Sequence, residues 1–498
     1  MAAHEKMPDF DVIIIGAGIS GINFAYRMQE RNPELTYCIL DGRHEIGGTW
    51  SLFQYPGIRS DSDLYTFSFA WRPWTGKDCI VHGSIIRQYL EDSAAQEGID
   101  KKIRFRHKVN KLSWSSSPSM WDCDITVNDT EKMSLRSRFI FLGTGYYDYE
   151  EPLPADIPGI HKFQGKVVHP QFWPDDLDYA DKRVVVIGSG ATAITLLPSL
   201  ATSAAHVTML QRSPTYIASL PTRGVFEAIV LKILPSSMAN RVIRLKWMLF
   251  SLFMVSMCHR FPRLAKSFFL RETAKILPPG MSLEPDFVPS YNPWDQRLCL
   301  CPNGDFYAAI RSGKASIHTG IIETITASSI TLASGKELHP DIIMTATGLK
   351  LRLAGGIAIT VDGEPYNLSD NFTWRTAMVE GLPNLVLSIG YTNASWTLGT
   401  DSTAHLACRL LNRMRKRGLS VIMPRMTAEE RKELEERPFL ALSATYVKEG
   451  GNVFPKTAST APWQPRSYYW RDLAIARWGR YQERHGVVEI GLVTDLSR

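Results

Sequence analysis

Cysteine is scarce in this chain and does not pair up. There are seven, an odd number, and no Cys-x-x-Cys occurs. That excludes a complete disulfide framework and a closely spaced redox-active cysteine pair, and it fits reduced thiols in a cytoplasmic protein. Cys299 and Cys301 would point the same way on a strand, but no cluster of His or Cys joins them, so no metal site is expected. Charge of one sign is also thin. A net charge of +6 over 498 residues gives no basic field suited to nucleic acid. The first ten residues lack the apolar run of a secretory signal. Long hydrophobic runs are missing too. Trp247 to Cys258 carries no charge but is only 12 residues long, too short to cross a bilayer. It is expected to be a buried or tunnel-lining helix and not a transmembrane span. Arg241, Arg244 and Lys246 before it, and Arg260 and Arg263 after it, leave room for weak peripheral membrane association.

What the chain does have is glycine in two special places. Asp11 to Ile15 is a continuous apolar run rich in β-branched residues, which reads as a buried parallel strand. Gly16, Gly18 and Gly21 follow in Gly-x-Gly-x-x-Gly spacing, then a helix to about Glu30, then a strand ending at Asp41. Glycines at this spacing let the backbone turn tightly and approach a pyrophosphate, whose charge meets a helix N-terminus. An acid at the end of the next strand can accept hydrogen bonds from a ribose. A second unit begins at Arg183 to Ile187 and runs into Gly188, Gly190 and Ala193. Its next strand ends at Gln211, followed by Arg212 and Ser213. A guanidinium binds a ribose 2′-phosphate that an acid would repel, so the second unit reads as an NADPH site. The segment from Ile103 to Ile140 alternates as an antiparallel meander would. Two apolar strands running into glycine, Phe139 to Gly145 and Asp341 to Gly348, mark crossings between domains.

Three further stretches carry a resemblance. Gly47-Gly48-Thr49-Trp50 is followed by Tyr55-Pro56-Gly57 and then by Asp61. Between the two glycine turns, Phe163, Gly165, His169, Trp173 and Pro174 spell Phe-x-Gly-x-x-x-His-x-x-x-Trp-Pro. Later come Asn292 to Leu300 and Gly390 to Thr397. Together these resemble class B flavin monooxygenases of the Baeyer–Villiger type, in the ethionamide-monooxygenase-like branch. The resemblance implies an α/β fold of two dinucleotide-binding, Rossmann-like domains. It implies an FAD-binding domain at 1–146, an NADPH-binding domain at 147–355 with a helical insertion at about 216–292, and a second FAD-binding part with a C-terminal segment at 356–498.

The resemblance also implies the cofactors, FAD at the first unit and NADPH at the second. Gly16, Gly18, Gly21, Asp41, Gly48, Thr49, Trp50, Tyr55, Asp61 and Asn393 would serve FAD. Gly188, Gly190, Ala193, Arg212 and Ser213 would serve NADPH. Gln296 stands where some relatives have a lysine for the 2′-phosphate. Arg297 falls at the family's catalytic arginine and Asp61 at the acid that contacts it. The implied reaction inserts one atom of dioxygen beside a ketone carbonyl through a C4a-peroxyflavin, giving an ester or lactone. A helix starting near Asn393 would face the flavin. Two other readings use the same scaffold: a flavin N- or S-oxygenase acting on a thioether, and a non-catalytic dinucleotide-binding redox protein.

Overall fold

The computed structural model describes residues 7–296, 298–440, 447, 450–479 and 488–489. In chain order the strands are β1 (Phe10–Ile15), β2 (Tyr37–Leu40), β3 (Ile103–Arg104), β4 (His107–Ser115), β5 (Met120–Val127), β6 (Glu131–Leu142), β7 (Lys166–Val168), β8 (Arg183–Ile187), β9 (His206–Gln211), β10 (Ile217–Leu220), β11 (Cys299–Pro302) and β12 (Ala315–Thr319). A small hairpin unit follows, β13 (Ile322–Ile325), β14 (Ile330–Leu332) and β15 (Glu337–Leu338), and then β16 (Ile342–Thr345), β17 (Ala358–Val361) and β18 (Glu364–Pro365). The helices that matter below are α1 (Ile19–Arg31), α2 (Thr49–Leu52), α3 (Leu64–Phe67), α4 (Gly83–Gln96), α5 (Ala191–Leu200), α6 (Val225–Ile233), α7 (Ser236–Arg260), α8 (Pro262–Ile276), α9 (Asp305–Arg311) and α10 (Trp396–Arg417).

Two sheets carry the structure. The first runs β18-β17-β4-β5-β6-β1-β2-β3, and the late strand Leu385–Leu387 also pairs with β6. Its register explains its mixed character. Residues 131–137 of β6 pair antiparallel with β5, while residues 137–142 pair parallel with β1. Strand β6 therefore begins in the expected meander and ends in the parallel layer. The second sheet, β12-β9-β8-β16-β7, is parallel throughout. Parallel strands are covered on both faces, so their runs are apolar; the last four residues of β1 and of β8 are buried.

The same close approach closes both glycine turns. Gly16 has φ +106°, and a Cβ there would lie 2.6 Å from the Gly143 carbonyl oxygen; Gly188 has φ +136°, and its Cβ would lie 2.2 Å from the Ala346 oxygen. In each unit the first glycine touches the residue that follows a neighbouring strand, β6 or β16. Gly21 is tighter still: a Cβ would fall 1.9 Å from the Gly16 oxygen. Only glycine fits such contacts.

The helical segment after β10 corrects one expectation. The apolar stretch at 247–258 belongs to a helix of 25 residues, α7, of which only 22% of the most apolar window is buried. That helix is long and apolar enough to cross a membrane by length and composition. Arg241, Arg244, Lys246 and Arg260, which flank the apolar run, lie within the helix, so the helix extends beyond the uncharged stretch. Part of it does line a cavity, as expected. A smaller shift concerns the late helix: α10 begins at Trp396 with Ser395 as N-cap, three residues after Asn393.

Helix α10 is fixed to α1 by a buried polar cluster. Arg27 meets Asp401 at 2.9 Å with both side chains almost wholly buried. A buried cation of this kind needs a partner. His405, 1% exposed, accepts from Arg477 through Nε2 at 2.9 Å, which requires that nitrogen to be unprotonated. Burial pushes the His405 ring down to about 3; Asp401 opposes the shift, and nearby arginines reinforce it. An unfolded histidine titrates near 6.5, so below that pH the unfolded chain takes up a proton that the folded one refuses. Stability tied to His405 is present above about 6.5 and falls as pH drops, by about 2 kcal/mol at pH 5. His405→Gln should therefore lose about 2 kcal/mol less than the parent between pH 7 and pH 5 in urea unfolding. Equal losses would show that His405 is not the acid-sensitive group.

Candidate active site

A cavity of about 890 Å³ opens between the first glycine turn, the start of α5 in the second unit and helices α7 and α8. The first glycine turn contributes Gly16 and Gly18; α2 contributes Thr49 and Trp50; the start of α5 contributes Ala191 and Thr192; and the approach to α10 contributes Thr392 to Trp396. The predicted site residues Asp41, Gly48, Tyr55, Asp61 and Asn393 also line it. Gly21 is packed behind its turn. Gly188, Gly190, Ala193, Arg212 and Ser213 are not among the lining residues. They form their own turn, where the Ser189 hydroxyl donates to the Ser213 carbonyl at 3.0 Å and ties the glycine loop to the end of β9. Arg212 and Ser213 are exposed there.

Asp41 holds the first turn together. Its carboxylate accepts from the backbone N–H of Ala17 at 2.7 Å and of Arg43 at 2.8 Å. Burial raises its pKa, and these two N–H groups oppose the rise. Helix α1 starts straight after Gly18, with no side-chain cap and no acid in its first turn. Helices α5 and α10 are open in the same way. Uncapped N–H groups and the helix dipole favour an anion at such ends. At α10 the Ser395 hydroxyl is buried with no partner.

Tyr55 lines the cavity and has a second role. It is buried in the core of the second unit. Burial pushes its phenol up to about 12, against a hydrogen bond with Thr192 at the start of α5. It therefore joins the two units as well as lining the cavity. Asp61 is half-buried in the cavity wall. The neighbouring cap is made by Asp63, which accepts from the Thr66 N–H at 2.8 Å and starts α3. Trp50 packs edge-on against Phe67, centroids 5.6 Å apart. Tyr149, which sequence reasoning missed, lines the cavity near Thr49; burial pushes its phenol up to about 12, against the pull of the Thr49 hydroxyl. No spacing rule ties residue 149 to residue 49.

Arg297 lies outside the described residues. Trp294 and Leu298, on either side of it, both line the cavity. The turn before it is tight. The Asn292 N–H donates to the Asp295 carboxylate at 3.1 Å, and Trp294 has φ +76°. A bulky residue in the left-handed region stores strain, and such strain gathers at functional sites.

The Phe163-to-Trp173 motif is mostly structural. Phe163 is buried in a small core with β8, β14 and β16. A Cβ on Gly165 would lie 2.6 Å from the Asp341 oxygen. Trp173 packs edge-on against Tyr179. His169 follows β7, the edge strand beside β16, and its Nδ1 accepts from the Gln171 N–H at 3.3 Å. Its Nε2 is buried with no hydrogen-bond partner among the described residues, and burial keeps the ring below its usual pKa, opposed by the Gly348 backbone. Gln171, a position the motif leaves open, donates to the Asp148 carbonyl at 2.6 Å. The two crossings themselves pair: the Asp148 N–H donates to Lys350 and the Arg352 N–H to Tyr146, at 2.8 and 2.9 Å. His169 and Gln171 thus reach one crossing each.

Comparison with known proteins agrees with this geometry. The sequence profile described as Flavin-binding monooxygenase-like matches residues 10–244. FAD-containing monooxygenase EthA of Mycobacterium tuberculosis is 45% identical over 474 residues, covering 95% of this chain and 96% of that protein. Two solved structures share the fold. OTEMO in complex with FAD and NADP aligns with a TM-score of 0.68 at 19% identity, over 86% of this chain and 89% of that one. Cyclohexanone monooxygenase from Rhodococcus sp. Phi1, bound to NADP+, aligns with a TM-score of 0.68 at 20% identity, over 85% and 87%.

The glycines of the two turns should separate fold from binding. A Cβ on Gly190 would meet no protein atom within 4 Å, whereas one on Gly21 meets a backbone oxygen at 1.9 Å. Gly190→Ala should leave the thermal midpoint within about 2 °C of the parent. It should still weaken NADPH affinity about tenfold, because a methyl holds the pyrophosphate off the backbone. Gly21→Ala should instead destabilise the fold by about 1–3 kcal/mol. Calorimetry and NADPH titration of both variants check this, and a Gly190→Ala protein with parental affinity would contradict it.

Proposed function

The chain belongs to the flavin-binding monooxygenase-like family of FAD-containing monooxygenases, and from that premise we propose that it is an NADPH-dependent Baeyer–Villiger monooxygenase converting ketones to esters or lactones. The observation that carries the reading is the convergence on one cavity of the first glycine turn, Asp61, Trp294 and Leu298 to either side of Arg297 in the chain, and the open start of α10. The residues present fit the cofactors. The glycine turn is a cradle that a side chain would fill, and the unpartnered Ser395 hydroxyl sits at an uncapped helix end.

In this reading Gly16, Gly18, Asp41, Gly48, Thr49 and Trp50 hold FAD, and the approach to α10 at Asn393 faces its ring. Gly188, Gly190, Arg212 and Ser213 hold NADPH. When bound, the flavin takes electrons from NADPH and activates dioxygen. The chain's own work is position and charge. Arg297 keeps a fixed positive charge where the carbonyl oxygen of the ketone becomes an oxyanion, and it does so at any working pH. Asp61 orients that guanidinium. His169 and Gln171, by reaching the two crossings, keep the two dinucleotide sites in register.

Cofactor choice tests the second unit. A charge-assisted contact to the 2′-phosphate contributes about 1.5 kcal/mol, or roughly tenfold, and neutral Gln296 adds no charge to it. The parent should use NADPH about tenfold more efficiently than NADH, and Arg212→Ala should erase that margin in steady-state assays. Equal use by the parent would sink the assignment.

The reaction is tested at Arg297. Arg297→Ala should keep consuming NADPH but release hydrogen peroxide in place of ester, with ester formation down at least about a hundredfold. Arg297→Lys should be severely impaired too, since it keeps charge but loses the planar fork. Mass spectrometry with labelled dioxygen, over a panel of ketones and one thioether, reads this directly. Label in esters made by the parent supports the proposal. Sulfoxide with no ester from any ketone, or near-parental ester from Arg297→Ala, overturns it.

A further inference from the structure

We propose that α7 and α8 form a docking surface for an anionic lipid bilayer at the mouth of the cavity. Helix α7 is two-faced along its whole length. Ala239, Ile243, Trp247, Val255 and Cys258 are buried against the protein. Met238, Leu245, Leu249, Leu252 and Phe253 are exposed, and at 100° per residue they fall on the opposite side. The first residue of the buried stripe is Ala239 and the last Cys258, so the helix is held to the protein from end to end. Its roughly 37 Å length would match a bilayer, but a helix held this way lies along a membrane surface and not across it. Helix α8, which packs on α7, continues the pattern: Leu264 is 63% exposed and Phe268 54%, as Phe253 is 61% exposed on α7. Contiguous exposed apolar surface marks an interaction site.

Charge selects the partner. Between Ala228 and Arg271 there is no acidic residue, against eight lysines and arginines. Three of these are turned inward: Arg244 to the Tyr65 and Ser68 carbonyls, Lys246 to Glu227 and Lys266 to the Pro289 carbonyl. Lys232, Arg241, Arg260, Arg263 and Arg271 are exposed. Apolar residues flanked by cations fit a surface of negative headgroups over hydrocarbon. The cavity joins this face: Phe250, Leu252, Phe268, Tyr468 and Trp470 are exposed and also line it. Tyrosine and tryptophan at such a rim suit the headgroup level.

The test uses the full chain and flotation with vesicles of phosphatidylcholine, alone or mixed with phosphatidylglycerol. The parent should float with mixed vesicles, less so at high salt, and poorly with phosphatidylcholine alone. Leu249→Ser/Phe253→Ser/Leu264→Ser removes apolar contacts that do not line the cavity, and Arg260→Glu/Arg263→Glu reverses two charges. Each should weaken binding to mixed vesicles about thirtyfold or more, taking about 1 kcal/mol per basic residue for the charge pair. Parental thermal midpoints show that folding is intact. Failure of the parent to float with mixed vesicles overturns the proposal, as does equal floating of parent and both variants. So does equal binding to neutral vesicles. A parent that is dimeric in sedimentation velocity, made monomeric by the triple variant and silent towards vesicles, would assign the face to a second copy of the chain and overturn the proposal too.

Discussion

Two backbone hydrogen bonds, from Asp148 to Lys350 and from Arg352 to Tyr146, hold the molecule in the form that matters. They pair the chain on its way out of the first sheet with the chain on its way back. The ladder ties the segment after β6 to the segment after β16, and so fixes the first glycine turn, which lines the cavity, relative to the second, which lies outside it. Ionic contacts reinforce it. Asp148 is buried, which alone would raise its pKa, yet the N–H groups of Glu150 and Glu151 and the charges of Arg352 and Lys350 hold it below the usual carboxylate range. A carboxylate kept charged inside such a junction is costly unless it is paired, and here it is paired on every side. If the ladder slipped, the cavity would lose one wall.

The division of labour between fold and chemistry follows from that junction. Residues that look catalytic because they are polar or aromatic are in several cases fasteners. Tyr55 packs into the core of the second unit and joins the two units. Gly165 makes room for the Asp341 carbonyl. His169 and Gln171 reach the two crossings. Several residues that touch the cavity carry structural bonds as well, among them Asp41, which accepts from Ala17 and Arg43. Asp61 and Asp63 both line the wall, and Asp63 also caps α3. The helix starts at α1, α5 and α10 are left uncapped. A fold that satisfied those ends internally would be better capped and unable to receive an anion there.

The insertion after β10 adds a third part to the design. Its helices line one side of the cavity with Met248, Met254 and Phe269 and show solvent an apolar, basic exterior. The two faces lie on the same helices, so the surface that meets the surroundings and the wall that meets the cavity cannot vary independently.

Much of this was legible in the residues alone. Buried parallel strands need apolar β-branched runs, and the turns that follow them need glycine because a carbonyl lies within 3 Å of where a Cβ would be. These are local demands, so β1, β8, both turns, the meander and the crossings could be read in order along the chain. The acid at 41 and the arginine at 212 were legible for the same reason, since each ends a strand at a fixed distance from its turn. What the chain order could not decide were meetings of distant segments. Tyr149 beside Thr49, Gln171 on Asp148, His405 neutral between Asp401 and Arg477, and the outward half of α7 all depend on which surfaces face each other after folding. An apolar helix of 25 residues has the same sequence whether buried, membrane-spanning or half-covered. Only packing against α3, α6 and α8 separates its two faces, because burial is a property of neighbours and not of the residues themselves.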